Sequence, residues 1–415
     1  MKNVNFVVLA AGKGTRMKSS VPKVLHKLAG RSMLRHVIDA TKTVGESKKV
    51  IVTGHGAEQV EETFESADTK FVRQEDQLGT AHAVSMAIPE LCEDAIVVVL
   101  YGDVPLIRPV TLQRMLASVN EKSMGLLTIS LDDPDGYGRI VRSADGLIES
   151  IVEQKDATNE QRHICEINTG VMALTSLQLR NWLPQISNNN AQGEYYLTDI
   201  IAIARQNGIK VNSINPESVT EVEGVNSRLQ LSQLERAHQL ELARQLMQSG
   251  TTLADPARFD QRGQLSVGTD NFIDINCIFE GNVTIGSNVS IGPNCCIINS
   301  TIGNDVEILA NTIIDSSEVG DSAVIGPFAR IRPGTELAEH TKVGNFVETK
   351  KSQVGKGSKI NHLSYVGDSE LGENVNIGAG TITCNYDGVE KHKTLLGDGV
   401  FVGSNSTLVA PITVG

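Results

Sequence analysis

Through the last third of the chain an apolar anchor returns at every sixth residue. Phe279, Ile285, Ile291 and Ile297 are followed, after a step of five, by Ile302, Ile308 and Ile314. Val319, Ile325, Ile331, Leu337 and Val343 continue the series, and after a step of eleven come Val354, Ile360, Val366, Leu371 and Ile377. Leu396, Val402, Leu408 and Val414 close it. A period of six fits neither a 3.6-residue helix nor the two-residue alternation of a lone strand. It predicts a hexapeptide solenoid, in which three hexads make one triangular coil and the anchors stack inside the prism. Many anchors are followed directly by Gly, as in Ile285-Gly286, Ile325-Gly326 and Val402-Gly403, and Gly or Asn at the corners supplies the tight-turn conformations. This is where much of the chain's 38 Gly belongs, and a Val/Ile-stacked prism leaves little room for aromatics.

Solenoids of this kind coil left-handed, an exception to the right-handed crossover preference. The first 225 or so residues have a different rhythm. Phe6–Ala10, Lys49–Val52, Ala95–Leu100 and Leu126–Leu131 read as strands, with helices at Ser32–Thr43 and Thr80–Ile88 between them. That alternation predicts an open, mostly parallel α/β sheet of Rossmann-like type. From Asn226 to Ser249, leucines scattered among Gln, Glu and Arg predict a long, largely exposed helix ending at Gly250, the alternative being a helix of the first domain's core. The expected organisation is an α/β domain over 1–227, a linker helix over 228–250 and a left-handed parallel β-helix over 251–415. Val414-Gly415 begins a hexad, so the expectation is a chain cut short within a coil.

A formal net charge of −12 argues against bulk binding of nucleic acid, while leaving room for a local basic pocket. No apolar run is long enough to cross a membrane, and the N-terminus reads as a first strand and not as a signal peptide. The 6 Cys show no CxxC spacing and fit a reducing, cytoplasmic setting.

Two groups of residues carry chemistry. The first strand ends in Leu9-Ala10-Ala11-Gly12-Lys13-Gly14-Thr15-Arg16, with Pro22-Lys23 beyond. Small residues at a strand's C-terminal end let backbone N–H groups approach a phosphate or base, and Lys13, Arg16 and Lys23 supply positive charge. The pattern is neither a Walker loop nor a full dinucleotide fingerprint, and by itself it is also an ordinary tight turn. The buried strand Ala95–Leu100 leads into Tyr101-Gly102-Asp103, which sets a carboxylate where ligands bind in open sheets and where Mg²⁺ bridges nucleotide phosphates. In the solenoid, polar candidates gather where the hexads break: Arg332, Lys350 and Lys351, His362 with Tyr365, and the gap between Ile377 and Leu396, which predicts a protruding loop around Thr383–Gly388. His362 is the best general base by its titration range, although a lone His is more often a packing residue. His340, His362 and His392 also raise a metal site shared among subunits, without any acidic pattern to accompany it.

These motifs resemble a known family. LAAGKGTRM with PKVL is similar to the signature of sugar-1-phosphate nucleotidyltransferases. QLGTAHA, YGDVPL, DDPDGYGRI, VEQKDAT, EINTGV, NNNAQGEYYLTD and EVEGVNSR extend the resemblance to the bacterial bifunctional N-acetylglucosamine-1-phosphate uridylyltransferase/glucosamine-1-phosphate acetyltransferases, over essentially the whole chain. The resemblance implies that Leu9, Ala10, Ala11, Gly12, Gln74, Gly79 and Thr80 hold uracil and ribose, and that Arg16 and Lys23 meet the phosphates. It implies that Tyr101, Gly102, Gly138, Glu153 and Asn168 line an N-acetylglucosamine pocket, and that Asp103 and Asn226 bind Mg²⁺. In the β-helix it implies His362 as the base of acetyl transfer from acetyl-CoA. Arg332, Lys350, Tyr365 and Asn376 would hold glucosamine-1-phosphate, and Ala379, Asn385, Tyr386 and Ser404 would lie near acetyl-CoA. The family forms homotrimers through the solenoid. One other reading stays open, a single-activity nucleotidyltransferase with a structural or regulatory β-helix; against a non-enzymatic subunit of translation-factor exchange type stand Arg16 and Asp103 in intact motifs.

Overall fold

The computed structural model describes residues 3–415. The described residues divide into two compact units, 3–234 and 235–415.

The first unit is built on a mixed sheet whose strands run, side by side, Lys210–Ile214, Ser123–Ser130, Glu166–Thr175, Ala95–Tyr101, Asn3–Ala10, Ser47–Thr53 and Thr69–Arg73. Asn3–Ala10 is parallel to both its neighbours, whereas Glu166–Thr175 is antiparallel to both of its own. The central strands are continuous apolar runs because both faces are covered: Val7, Val50, Val97 and Val99 pack on one side, Phe6, Val8, Ile51 and Val98 on the other. The expected helices are present as Met33–Lys42 and Thr80–Ala87. Parallel strands share their C-terminal ends on one edge, and this sets the loops after Ala10, Thr53 and Tyr101 side by side.

The second unit is a parallel β-helix. Strands pair with the strand one coil on, and side-chain hydrogen bonds such as Ser287 N–H to Asn304 and Val289 N–H to Asn271 climb the coils between residues 17 or 18 apart. One nine-stranded sheet forms a face, and a sixteen-stranded sheet turns through the long strand Cys277–Ile285 to make the others. Anchors stack in register: Ile285 on Ile302, Ile302 on Val319, and Val319 on Leu337. All of these are buried, and each contributes about 1.5–3 kcal/mol of apolar burial. Asn276, Asn294 and Asn311 occupy left-handed corners, and their side chains hydrogen-bond up the ladder at 3.0 and 3.3 Å.

The sequence suggests an irregular stretch after Val343, but the hexads run through it. Thr349 fills the anchor slot between Ile331 and Val366, fully buried, with no partner for its hydroxyl. The expected protruding loop is real. Thr383 is buried on the coil, then Asn385–Lys393 leaves it, held by a bridge between Tyr386 and Lys391, before Leu396 stacks on Leu371.

The helix predicted between the halves spans Arg228–Gln248, with Gly250 at positive φ just beyond it. It is less exposed than its composition suggests. Leu234 packs with Leu28, Met33 and Val225 of the first unit, and Ala243 joins the β-helix core.

Candidate active sites

The loops at the sheet edge enclose a cleft of about 340 Å³. Its lining includes Leu9, Ala10, Ala11, Gly12, Lys23, Gln74, Gly79, Thr80, Tyr101 and Asp103, so the structure gathers most of the candidates for nucleotide contact in one place. Gln77 and Glu194 line it as well and were not singled out from the sequence. Gln77 donates to the carbonyl of Ala11 at 2.6 Å and so braces the small-residue loop. Gln74 donates to the carbonyl of Gly79 at 3.1 Å and lies 3.1 Å from His82 Nδ1. Gly79 has φ +118°, and a Cβ there would sit 2.5 Å from the carbonyl oxygen of Tyr195, so only glycine lets the two backbones approach. Thr80 Oγ1 accepts from the N–H of Leu197 at 3.0 Å, which ties the start of its helix to the same segment.

Where the phosphate candidates lie, Lys23 Nζ contacts the carboxylate of Asp103 and is 3.1 Å from Asn226 Oδ1. Asp103 and Asn226 are far apart in sequence. They meet because the N–H of Val225 donates to the carbonyl of Asp103 at 2.9 Å. The carboxylate and the amide oxygen thus converge on one cation in a largely shielded spot, with side-chain exposures of 12% for Lys23 and 17% for Asp103. Two hard oxygens so arranged fit Mg²⁺. Arg16 lies on the short turn Thr15–Met17 and is exposed. Arg228 Nε donates to the carbonyl of Met17 at 3.1 Å, securing the end of that turn.

The sugar-pocket candidates form a second cluster. The N–H of Asn168 donates to the carbonyl of Gly138 at 2.8 Å, and its Oδ1 accepts from the N–H of Gly170 at 3.0 Å. Gly170 has φ +87°, and a Cβ there would stand 2.5 Å from the Tyr101 ring, so this glycine of EINTGV seats the tyrosine. Burial pushes the Glu153 carboxyl up from its ordinary range, with Asp156 and Asp199 adding to the rise, while Thr198 opposes it by donating to Oε1 at 3.1 Å. Burial, then Asp103 and Glu153, likewise hold the Tyr101 phenol protonated.

On the β-helix the candidates fall into three groups. The backbone N–H of Arg332 donates to the carbonyl of Thr349, and its guanidinium pairs with Glu348 at 2.6 Å. Lys350 stacks on Gly367, against which the Tyr365 ring lies. Lys391 first, then Arg332, hold the Lys350 ammonium below the ordinary lysine range, so three cations crowd one patch. Lys391 sits on the inserted loop, where no periodicity could mark it. Round the corner at Leu363, His362 Nδ1 lies 2.6 Å from Asn345 Oδ1. Asn376 pairs with Lys359 of the previous coil. The third group is the loop and the coil beside it: Asn385 Nδ2 donates to the Asp368 carboxylate, Tyr386 is exposed, and Ala379 accepts from the N–H of Asn405 at 2.7 Å next to Ser404. Among the described residues no three His, Cys, Asp or Glu side chains form a metal-binding group, so the three histidines do not meet within the chain.

Comparison with known proteins places the chain in a family. Residues 6–165 match a family model for the MobA-like NTP transferase domain, and residues 262–347 match one for the GMPPB C-terminal domain. Bifunctional protein GlmU of Marinobacter nauticus is 59% identical over 100% of this chain and 91% of its own length. Bifunctional protein GlmU of Cellvibrio japonicus is 56% identical over 99% of this chain and 91% of its own. A solved nucleotidyl transferase from Methanothermobacter thermautotroptrophicus aligns with 58% of this chain and 99% of its own, at 20% identity and a TM-score of 0.42. Identity at this level over both units shows that the chain belongs to the bifunctional GlmU family.

Proposed function

We propose that the chain makes UDP-N-acetylglucosamine in two steps, acetylation first and uridylylation second, and that the residues gathered above carry them. The observation behind the reading is the convergence of Asp103 and Asn226 on one cation at the mouth of a cleft walled by small residues.

Uridylyl transfer belongs to 1–227. Leu9, Ala10, Ala11, Gly12, Gln74, Gly79 and Thr80 hold uridine. Tyr101, Gly102, Gly138, Glu153 and Asn168 hold the N-acetylglucosamine moiety. The phosphate oxygen of N-acetylglucosamine-1-phosphate attacks the α-phosphorus of UTP in line; the bond to the bridging oxygen breaks and pyrophosphate leaves. No protein nucleophile is required, so positioning and charge neutralisation dominate. Asp103 and Asn226 would hold Mg²⁺, which when bound supplies positive charge to the phosphate oxygens. Lys23 and Arg16 supply it from the protein.

Acetyl transfer belongs to 251–415, with 228–250 as the linker. Arg332, Lys350, Tyr365 and Asn376 hold glucosamine-1-phosphate; the crowding of Lys350 by Lys391 and Arg332 supports an anion-binding patch there. His362 takes a proton from the sugar amine, the amine nitrogen bonds to the thioester carbonyl carbon of acetyl-CoA, and the carbon–sulfur bond breaks to release the thiol. Ala379, Asn385, Tyr386 and Ser404 line the approach of acetyl-CoA. The chain works as a homotrimer associated through its β-helix. Support comes from Phe328, Phe346 and Leu363, which are 50%, 55% and 63% exposed at left-handed positions in successive coils, where polar residues or Gly stand in most other coils. The working compartment is the cytoplasm, in keeping with the absence among the described residues of any helix long and apolar enough to cross a membrane.

The test is a pair of assays on the chain, pyrophosphate release and acetyl transfer, each with Mg²⁺ and then with EDTA. EDTA should stop the first alone and His362→Ala the second alone. Loss of both activities in either arm would sink the division of labour.

A further inference from the structure

We infer that Asn345 is a positioning residue of acetyl transfer: its side-chain oxygen holds the His362 imidazole in the Nδ1–H tautomer and leaves Nε2 bare to receive the amine proton. The inference rests on the reading of His362 as the base and adds to it the group that aims the ring.

Asn345 ends the strand Lys342–Asn345, His362 ends the strand Lys359–His362, and the two are register partners in adjacent coils. Each is followed by a left-handed residue, Phe346 and Leu363, so both side chains leave the prism at the same corner. Asn345 Oδ1 stands 2.6 Å from His362 Nδ1. A neutral imidazole carries one N–H, and an oxygen at Nδ1 makes that nitrogen the donor. The ring's anchorage is otherwise backbone only. The carbonyl of His362 accepts from Ser364 Oγ at 2.8 Å and from the N–H of Gly380 at 3.2 Å, and the N–H of Leu363 donates to the carbonyl of Asn345 at 3.1 Å.

The surrounding charge leaves this contact in control. The packed strands contribute Lys342 beneath, Lys359 on the same strand and Asn376 above, while Glu348 and Tyr365 open the next face. The following coil brings Ala379 and Gly380 to the corner, neither with a polar side chain. An amide orients the ring and sets its tautomer without adding charge beside it. The contrast is His392 on the loop, whose Nε2 lies 2.7 Å from the Asp387 carboxylate.

The experiment is ¹⁵N-imidazole NMR on the chain, with the His362 signals assigned by their loss in His362→Gln. Expected is a protonated Nδ1 and a bare Nε2 at pH values above the ring's titration. Asn345→Ala should shift the ring toward the Nε2–H form and lower kcat of acetyl transfer by about 10–100-fold with KM little moved. Asn345→Asp should restore the tautomer and raise the His362 titration, with the acid limb of the acetyl-transfer pH profile, by about one unit. A bare Nδ1 in the unmodified chain, or a tautomer unmoved in Asn345→Ala, would overturn the inference while leaving His362 as base. Acetyl transfer surviving His362→Ala would overturn the base reading, and with it the part given to Asn345 in transfer.

Discussion

Asp103→Asn is the sharpest perturbation of the uridylyl site. It keeps the side chain's size and one oxygen and removes one negative charge from a place where cations gather. The Asp103 and Lys23 side chains are 17% and 12% exposed, so bulk water screens this spot poorly. Two unit charges about 4 Å apart at an effective dielectric of about 20 interact by roughly 4 kcal/mol. If that interaction is felt mainly when charge builds on the transferring phosphate, its loss lowers the rate by about 10³-fold. The asparagine would still accept from Lys23, so the loop should keep its shape, and the backbone bond from Val225 to residue 103 does not involve the side chain. The assay is pyrophosphate release from UTP and N-acetylglucosamine-1-phosphate across a Mg²⁺ titration, with acetyl transfer on the same preparation as the control for folding. The expected result is a large fall in kcat and a higher Mg²⁺ midpoint, with acetyl transfer intact. Uridylyl transfer within tenfold of normal and an unmoved Mg²⁺ midpoint would show that Asp103 does not hold the metal that neutralises charge in the transition state.

Three further outcomes are expected. Thr349→Val should stabilise the β-helix by about 1–2 kcal/mol, read as a higher denaturant midpoint, because it removes a buried hydroxyl that has no partner; destabilisation would mean that the hydroxyl is satisfied after all. Glu153→Gln should stabilise the fold at pH 7 and gain nothing below pH about 4: a carboxyl whose folded-state titration is raised loses stability as pH rises from its unfolded value through its folded one, and the amide cannot. Urea midpoints at the two pH values check this, and an equal gain at both would refute the burial argument. Phe346→Asp should dissociate the chain into monomers in sedimentation experiments and depress acetyl transfer more than uridylyl transfer; an unchanged oligomer would remove the exposed stripe from the contact.

The hexads were legible because their period belongs to no other architecture, and each anchor from Phe279 to Val414 reports the phase independently. Thr349 escaped because its slot is identified by position alone, and a threonine among Lys and Glu looks like surface. The nucleotide loop and Asp103 could be read from the small residues after one strand and the acid after another, since strand order places such ends together. What brought Asn226 to them was the backbone bond to Val225, and no pattern announces that. Gly170, Gln77, Lys391 and Asn345 were missed for a common reason: each acts through a neighbour remote in sequence, Tyr101, Ala11, Lys350 and His362 in turn. The buried side of the Arg228–Gln248 helix was hidden by its polar composition, because Leu234 and Ala243 are buried in different units.

The spacing of 17 or 18 residues between stacked positions behaves as a reading frame for the surface. Removing one whole coil ahead of Arg332 would leave every later residue on its own face, merely one storey lower, with Arg332, Lys350 and Tyr365 still a patch and His362 still over Asn345. Removing a single hexad would turn everything downstream by one face, while its anchors went on stacking and the core stayed full. The prism is indifferent to such a shift and the surface is not. Among insertions and deletions that still fold, the length counted in coils therefore decides whether the outward-facing residues keep their places relative to the rest of the column.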